Sequence, residues 1–238
     1  MKKLMLWSMV LFLTACGTVS TQPRPGSYAV EQPVLQIPEN QGSLFTGDSA
    51  LLSDAEIQQI LSYQVTFPAQ MRIAILSLGQ QQSWWTRWSA ELTQLSDQIE
   101  QRFITVLRAS PAIYDASYLP SFLAPEKRSV PYLREAAARY QADVLFIYRS
   151  TCTSYEKYRL LSADETKAYC TVEAAVLDIR SGIVPFTSVA TETFSAKKEQ
   201  EDLDFSETLY KAQMKAIGDA LSKIAKDLVK FIVASRHE

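Results

Sequence analysis

From Ser53 onward the chain alternates between two hydrophobic periods, and that alternation restricts it to a mixed architecture of helices and strands. Met71 to Leu78 (MRIAILSL), apolar but for Arg72 and Ser77, reads as a buried strand. From Trp84 to Arg108, Leu92, Leu95, Ile99, Phe103 and Val106 recur at spacings of three and four, which predicts one apolar helix face. Ile113 to Leu119 reads as a second strand. Ser129 with Pro131 opens a helix whose inner side is Leu133, Ala136, Ala137 and Tyr140. Val144 to Tyr148 is a third strand that continues past Cys152 as a more polar ribbon, and about Lys167 to Ile179 returns. Gly182 suits the left-handed position of a hairpin turn, and Ile183 to Phe194 follows as a fifth strand. A long amphipathic helix from about Leu203 to Ala234 ends the pattern, with Ala212, Ala216, Leu221, Ile224 and Leu228 in its stripe. Ser53-Asp54-Ala55-Glu56 is a capping box for a short helix ahead of all this, through about Leu61. The order β-α-β-α-β-β-β-α, after that short helix, predicts an α/β (α+β) fold: a mixed sheet of about five strands packed by helices. The α-linked steps allow parallel pairing and the tight turns impose antiparallel hairpins.

The N-terminus is of another kind. Lys2 and Lys3 precede an apolar run from Leu4 to Leu13, followed by Thr14-Ala15-Cys16. A charged start, a short apolar stretch and a small-residue junction make a secretory signal; a membrane-spanning helix needs roughly 20 apolar residues. Leu13-Thr14-Ala15-Cys16 resembles the bacterial lipoprotein lipobox. The resemblance implies acylation of the Cys16 sulfur, cleavage before Cys16 and acylation of the new amine. Gly17, where an aspartate would retain a lipoprotein in the inner membrane, implies the outer one. Acyl chains contribute about 0.8 kcal/mol per buried CH₂, so several together hold firmly. The expected division is a leader over 1–15, a lipidated cysteine and tether over 16–50, and one globular periplasmic domain over 51–238. Pro23, Pro25, Pro33 and Pro38 lie in the tether among Thr, Gln and Ser with no regular period.

Charge and cysteine usage narrow the chemistry. Of 24 basic residues, Lys2 and Lys3 leave with the leader, so 22 face 26 acidic ones. No basic stripe exists to neutralise phosphates, which argues against a nucleic-acid partner. Cys152 and Cys170 are the cysteines left after lipidation. In an oxidising compartment the simplest reading is one disulfide across a hairpin, worth on the order of 3 kcal/mol; the alternative is two unpaired thiols. His237 is the single histidine and lies beside the C-terminus, so neither a zinc site nor a histidine-activated nucleophile is expected. The seven glycines are scattered and form no phosphate-cradling loop. No metal, cofactor or enzymatic activity is expected.

Two short phrases carry a wider resemblance. Tyr140-Gln141-Ala142-Asp143-Val144-Leu145-Phe146-Ile147 is similar to a helix-to-strand passage in a periplasmic superfamily. Members include the amino-terminal domain of TolB, the curli-secretion lipoprotein and the lipoprotein activator of a penicillin-binding protein. Ala175 to Gly182 resembles that superfamily's D-x-x-[TS]-G hairpin. Gln141 stands where the family usually has glycine. The resemblance covers about Met71 to Ile232.

Two groups of side chains are candidates for a partner surface. Trp84 and Trp88 share a helix face with Trp85 turned away, and such rings serve as interface anchors, as core, or as platforms for sugars. The ribbon from Arg149 to Ala168 holds Tyr155, Tyr158 and Arg159, types enriched in binding hot spots, and is expected to project beyond the core sheet. The sequence therefore points to a lipid-anchored adaptor at the outer membrane, facing the periplasm, that binds an envelope protein and supports its assembly or activity. An oligomeric outer-membrane secretion component like the curli-secretion lipoprotein is the alternative, and a homo-oligomer stays open.

Overall fold

The computed structural model describes residues 43–45, 52–79, 89–157, 165–200, 202 and 204–236. Cys16, the tether up to residue 42, Trp84, Trp85, Trp88, Tyr158 and Arg159 lie outside the described residues.

The elements are α1 (Asp54–Ser62), β1 (Met71–Ser77), α2 (Ala90–Arg108), β2 (Ile113–Tyr118), α3 (Val130–Arg139), β3 (Val144–Lys157), β4 (Glu165–Asp178), β5 (Phe186–Lys197) and α4 (Phe205–Ala234). One five-stranded sheet runs β2-β1-β3-β4-β5. β1 pairs in parallel with β2 and with β3, Ile73 lying beside Ala116 and Val144. β3, β4 and β5 form an antiparallel meander, from Val144 opposite Asp178 to Lys157 opposite Glu165, and from Val176 opposite Phe186 to Glu165 opposite Lys197. The mixed sheet with four helices is the α+β arrangement expected.

Strand parity explains two cores. Ile73, Ile75, Phe146 and Val176 face α2 and α4, where Phe103, Leu107, Leu221, Ile224 and Leu228 are buried. Ala74, Leu76, Leu145 and Leu177 face α3, against Leu133 and Ala137. β1 lacks alternation because helices cover both its faces. Each fully buried Leu, Ile or Phe contributes roughly 1.5–3 kcal/mol, so these two layers hold the sheet.

The two family-like phrases are backbone devices. The N–H of Ala142 bonds to Ala137 O (3.0 Å) and that of Gln141 to Ala138 O (2.9 Å), a Schellman ending for α3. Gln141 has φ 58°, the left-handed conformation that glycine adopts without strain. Asp143 then accepts the Arg72 N–H (2.9 Å), tying the start of β3 to β1. In the hairpin, Asp178 Oδ2 accepts the Ser181 N–H (2.8 Å), and Gly182 has φ 78°. Arg134 of α3 clamps this turn by donating to Ile179 O (3.0 Å) and Arg180 O (2.7 Å). β5 starts at Phe186, later than the expected Ile183, because Pro185 has no N–H for the ladder.

Two expectations change. The ribbon does not project alone: β5 pairs along it to its far end, and α4 covers one face with Ala212 and Ala216 against Ala168, Cys170 and Cys152. The long apolar stripe of α4 needed a third strand to lie on, which a bare two-stranded arm would not supply. The chain also touches the domain before Ser53. Leu44 packs on the α3-side core, and its carbonyl accepts the Val130 N–H (2.9 Å), one of the first amides of α3, where the Ser129 hydroxyl makes no cap bond.

Candidate partner-binding surface

Among the described residues, nothing buries any part of α1. Its capping box is formed, with Ser53 N–H donating to Glu56 Oε2 (2.8 Å) and Ser53 Oγ accepting the Glu56 N–H (3.4 Å). No residue of the helix is buried. Ile57, Ile60 and Leu61, at the i, i+3, i+4 spacing of one face, are 40%, 43% and 73% exposed, and Leu52 and Tyr63 flank them in the open. An isolated helix of nine residues is marginal in water, because it gains most of its stability from a packed apolar face. Asp54 and Glu56 in its first turn, with no basic residue in its last, make it a poor match for an anionic lipid surface. Sequence reading located this helix but not its role. The signal was present, since Ile57, Ile60 and Leu61 form a stripe too short to anchor a core layer.

The second open surface is the far half of the β3-β4-β5 face turned away from α4. Thr151, Thr171 and Thr191 form one cross-strand row, with the Thr171 and Thr191 hydroxyls 2.8 Å apart. Tyr155 and Tyr169 meet edge to face at 5.5 Å, and Lys167 Nζ lies 4.9 Å from the Tyr169 ring centre. Tyr155 is 56% exposed and so stands where a partner can reach it. The disulfide joins Cys152 to Cys170 directly across the β3–β4 pair, with Cα atoms 4.2 Å apart, on the opposite face beneath α4. It fixes the platform and contributes no contact surface. Of the sequence-derived candidates, Tyr155 and the two cysteines thus share the β3–β4 strand pair but lie on its opposite faces.

The buried polar groups serve the fold. Lys211 of α4 donates to Asp202 Oδ1 (2.5 Å) and pairs with Glu91 of α2 (2.7 Å). Asp202 also accepts from the Thr208 hydroxyl (2.5 Å) and the Glu199 N–H (3.0 Å). Burial alone would raise Asp202, but Lys211, Thr208 and the Glu199 amide outweigh it and hold the carboxyl below its usual range. Burial would likewise lower Lys211; its two carboxylates prevail and keep it firmly protonated. Tyr118 and Tyr148, hydroxyls 3.3 Å apart, are pushed up chiefly by burial and stay neutral. Arg72 joins Asp115 (3.0 Å), Tyr140 O (2.8 Å) and the Tyr140 ring at the sheet's end. A fully protonated lysine and neutral phenols are neither nucleophiles nor bases at pH 7. Among the described residues no group of three or more His, Cys, Asp or Glu stands as a metal set.

No family model matches the chain, and no curated protein does. Several solved structures are similar to it at low identity and low TM-score. One is the PelC dodecamer from Paraburkholderia phytofirmans, 14% identical over 72% of this chain and 93% of that one, TM-score 0.34. Another is the hypothetical protein CT253 from Chlamydia trachomatis, 14% identical over 70% and 99%, TM-score 0.39. A third, described as a putative lipoprotein from Caulobacter crescentus, is 10% identical over 67% and 90%, TM-score 0.35. Likenesses of this degree carry no argument about activity or assembly.

Proposed function

We propose that this chain is a lipoprotein anchored through Cys16 in the outer membrane, facing the periplasm, and that it works as a non-catalytic adaptor. Its partner is an envelope protein whose assembly or activity it supports. The observation that carries this reading is α1, a capped helix with Ile57, Ile60 and Leu61 outward and no residue buried. An amphipathic helix laid into an apolar groove is a recurrent recognition mode, and these residues are its natural anchors. The Leu13-Thr14-Ala15-Cys16 junction supplies the anchor.

The alternative, a lipid-embedded secretion channel, is disfavoured by parity. A barrel strand needs one apolar face toward lipid. Here one parity of β3 and β4 packs under α4, and the other carries Thr151, Thr153, Tyr155, Lys167 and Glu173. A photo-crosslinking residue at Ile60, at Tyr155 and, as an exposed control, at Tyr114 of β2 tests the adaptor reading in intact envelopes. A discrete adduct with another protein from Ile60, absent from Tyr114, is expected. Adducts no different from the Tyr114 control would overturn the reading.

A further inference from the structure

We infer that β5 is a self-association edge, pairing antiparallel with the β5 of a second copy. β5 ends the strand order, and among the described residues no strand lies on its outer side. The direction of its backbone groups follows from its neighbours. Cys152 and Cys170 face each other with Cα atoms 4.2 Å apart, the spacing of a non-hydrogen-bonded pair. Cys170 therefore turns its N–H and C=O toward β5, as Asp178, of the same parity, does when its N–H bonds to Ile183 O (2.9 Å). Parity then directs the even-numbered residues of β5 at β4. Thr187, Val189, Thr191, Thr193 and Ser195 direct their N–H and C=O groups outward, and all are exposed.

This edge lacks the usual protection. From Thr187 to Ala196 it has no proline, no glycine and no lysine, and its one charge, Glu192, is engaged with Lys223 (3.2 Å). A long neutral edge of β-branched residues is a template for another strand. The charge pattern limits the register a second copy can take. Centring the pair on Thr191 sets Thr191 opposite its equivalent, Val189 opposite Thr193, and Thr187 opposite Ser195. Glu192 then faces Ala190, whereas moving the centre one residue toward the C-terminus would set Glu192 against its own copy. About ten backbone hydrogen bonds would form. A foreign peptide would gain the same ladder, but specificity for one needs side-chain pockets along the edge. Exposed Thr and Ser supply none, whereas a second copy carries the complementary order within its own strand. The inference rests on the adaptor reading only for concentration: copies held in one leaflet meet at a high effective concentration, so a modest edge interaction suffices.

The test uses the full chain expressed in a bacterial envelope and oxidised in place. Thr191→Cys should give a disulfide-linked dimer. Ser195→Cys should give at least about tenfold less, because two copies of residue 195 would lie roughly 27 Å apart. Adding Val189→Lys and Thr193→Lys to Thr191→Cys sets like charges across the pair and should abolish the dimer; Val189→Glu with Thr193→Lys should restore it. These side chains are exposed, so the fold is retained. No dimer from Thr191→Cys, equal dimer from Ser195→Cys, or indifference to the charge swap would each overturn the inference. Membrane fractionation and the Ile60 adduct report on the adaptor reading separately.

Discussion

Replacing Lys211 by methionine removes the cation from a buried carboxylate while keeping most of the side chain's volume. The Asp202 side chain is 1% exposed and that of Lys211 10%, so water cannot take the ammonium's place. Breaking one side of a buried pair costs about 3–5 kcal/mol, most of it the stranded charge. At roughly 2–4 °C per kcal/mol for a domain of this size, Tm should fall by roughly 6–20 °C. Glu91 is 56% exposed and rehydrates, so it adds little. In the native protein Asp202 sits below its usual range, so its contribution is complete above that range and is lost as pH falls through the lowered value. Without Lys211, only the Thr208 hydroxyl and the Glu199 amide are left to offset burial, so Asp202 moves up from its native value. The deficit of Lys211→Met is then smallest in acid, grows as pH rises above the native lowered value, and levels off above the variant's higher one. Adding Asp202→Asn, which keeps an acceptor for Thr208 and the Glu199 amide without the charge, should recover about half the loss. Circular-dichroism melts from pH 4 to pH 8 measure this. A deficit below about 1 kcal/mol, or one independent of pH, would refute the reasoning.

Gln141→Gly should stabilise by roughly 0.5–1 kcal/mol in urea titration, because it relieves a left-handed residue at the end of α3; a loss would contradict the Schellman geometry. Gly182→Ala should cost about 1–2 kcal/mol, since φ is 78° and the new methyl would meet Arg134 Nη1 at 3.1 Å. Cys152→Ala with Cys170→Ala should cost on the order of 3 kcal/mol under non-reducing conditions; equal stability would mean the bond contributes nothing. Ile60→Asp should leave Tm within about 1 °C, because α1 is unpacked, yet abolish partner adducts at Tyr155.

Periodicity made most of the fold legible. The apolar stretch Ile73 to Leu76 marks β1 as buried, and the three-and-four spacing in α2 and the stripe of α4 each name an element and its inner face. Capping chemistry placed α1 and the start of α3 to within a residue. The course of β5 was harder, because its inward parity mixes Phe186 and Phe194 with Ser188, Ala190 and Glu192, a contrast too weak to show that it lines the whole ribbon. Lys211 and Asp202 were invisible for a different reason. They are nine positions apart around a helix start, and only the folded path brings them to 2.5 Å. The docking of Leu44 on α3 was hidden likewise, since one leucine among prolines has no period. The open face of α1 could have been found, because its stripe stands alone between the aperiodic sequence before Ser53 and Pro68.

Labelling with radioactive palmitate, followed by membrane fractionation of the wild-type chain and of Cys16→Ser, decides whether Cys16 carries the lipid anchor. Label in the outer-membrane fraction is expected for the wild type, and an unlabelled, unprocessed chain for the variant. Equal labelling of both, or a wild-type chain unlabelled and free of membranes, would contradict an anchor at Cys16.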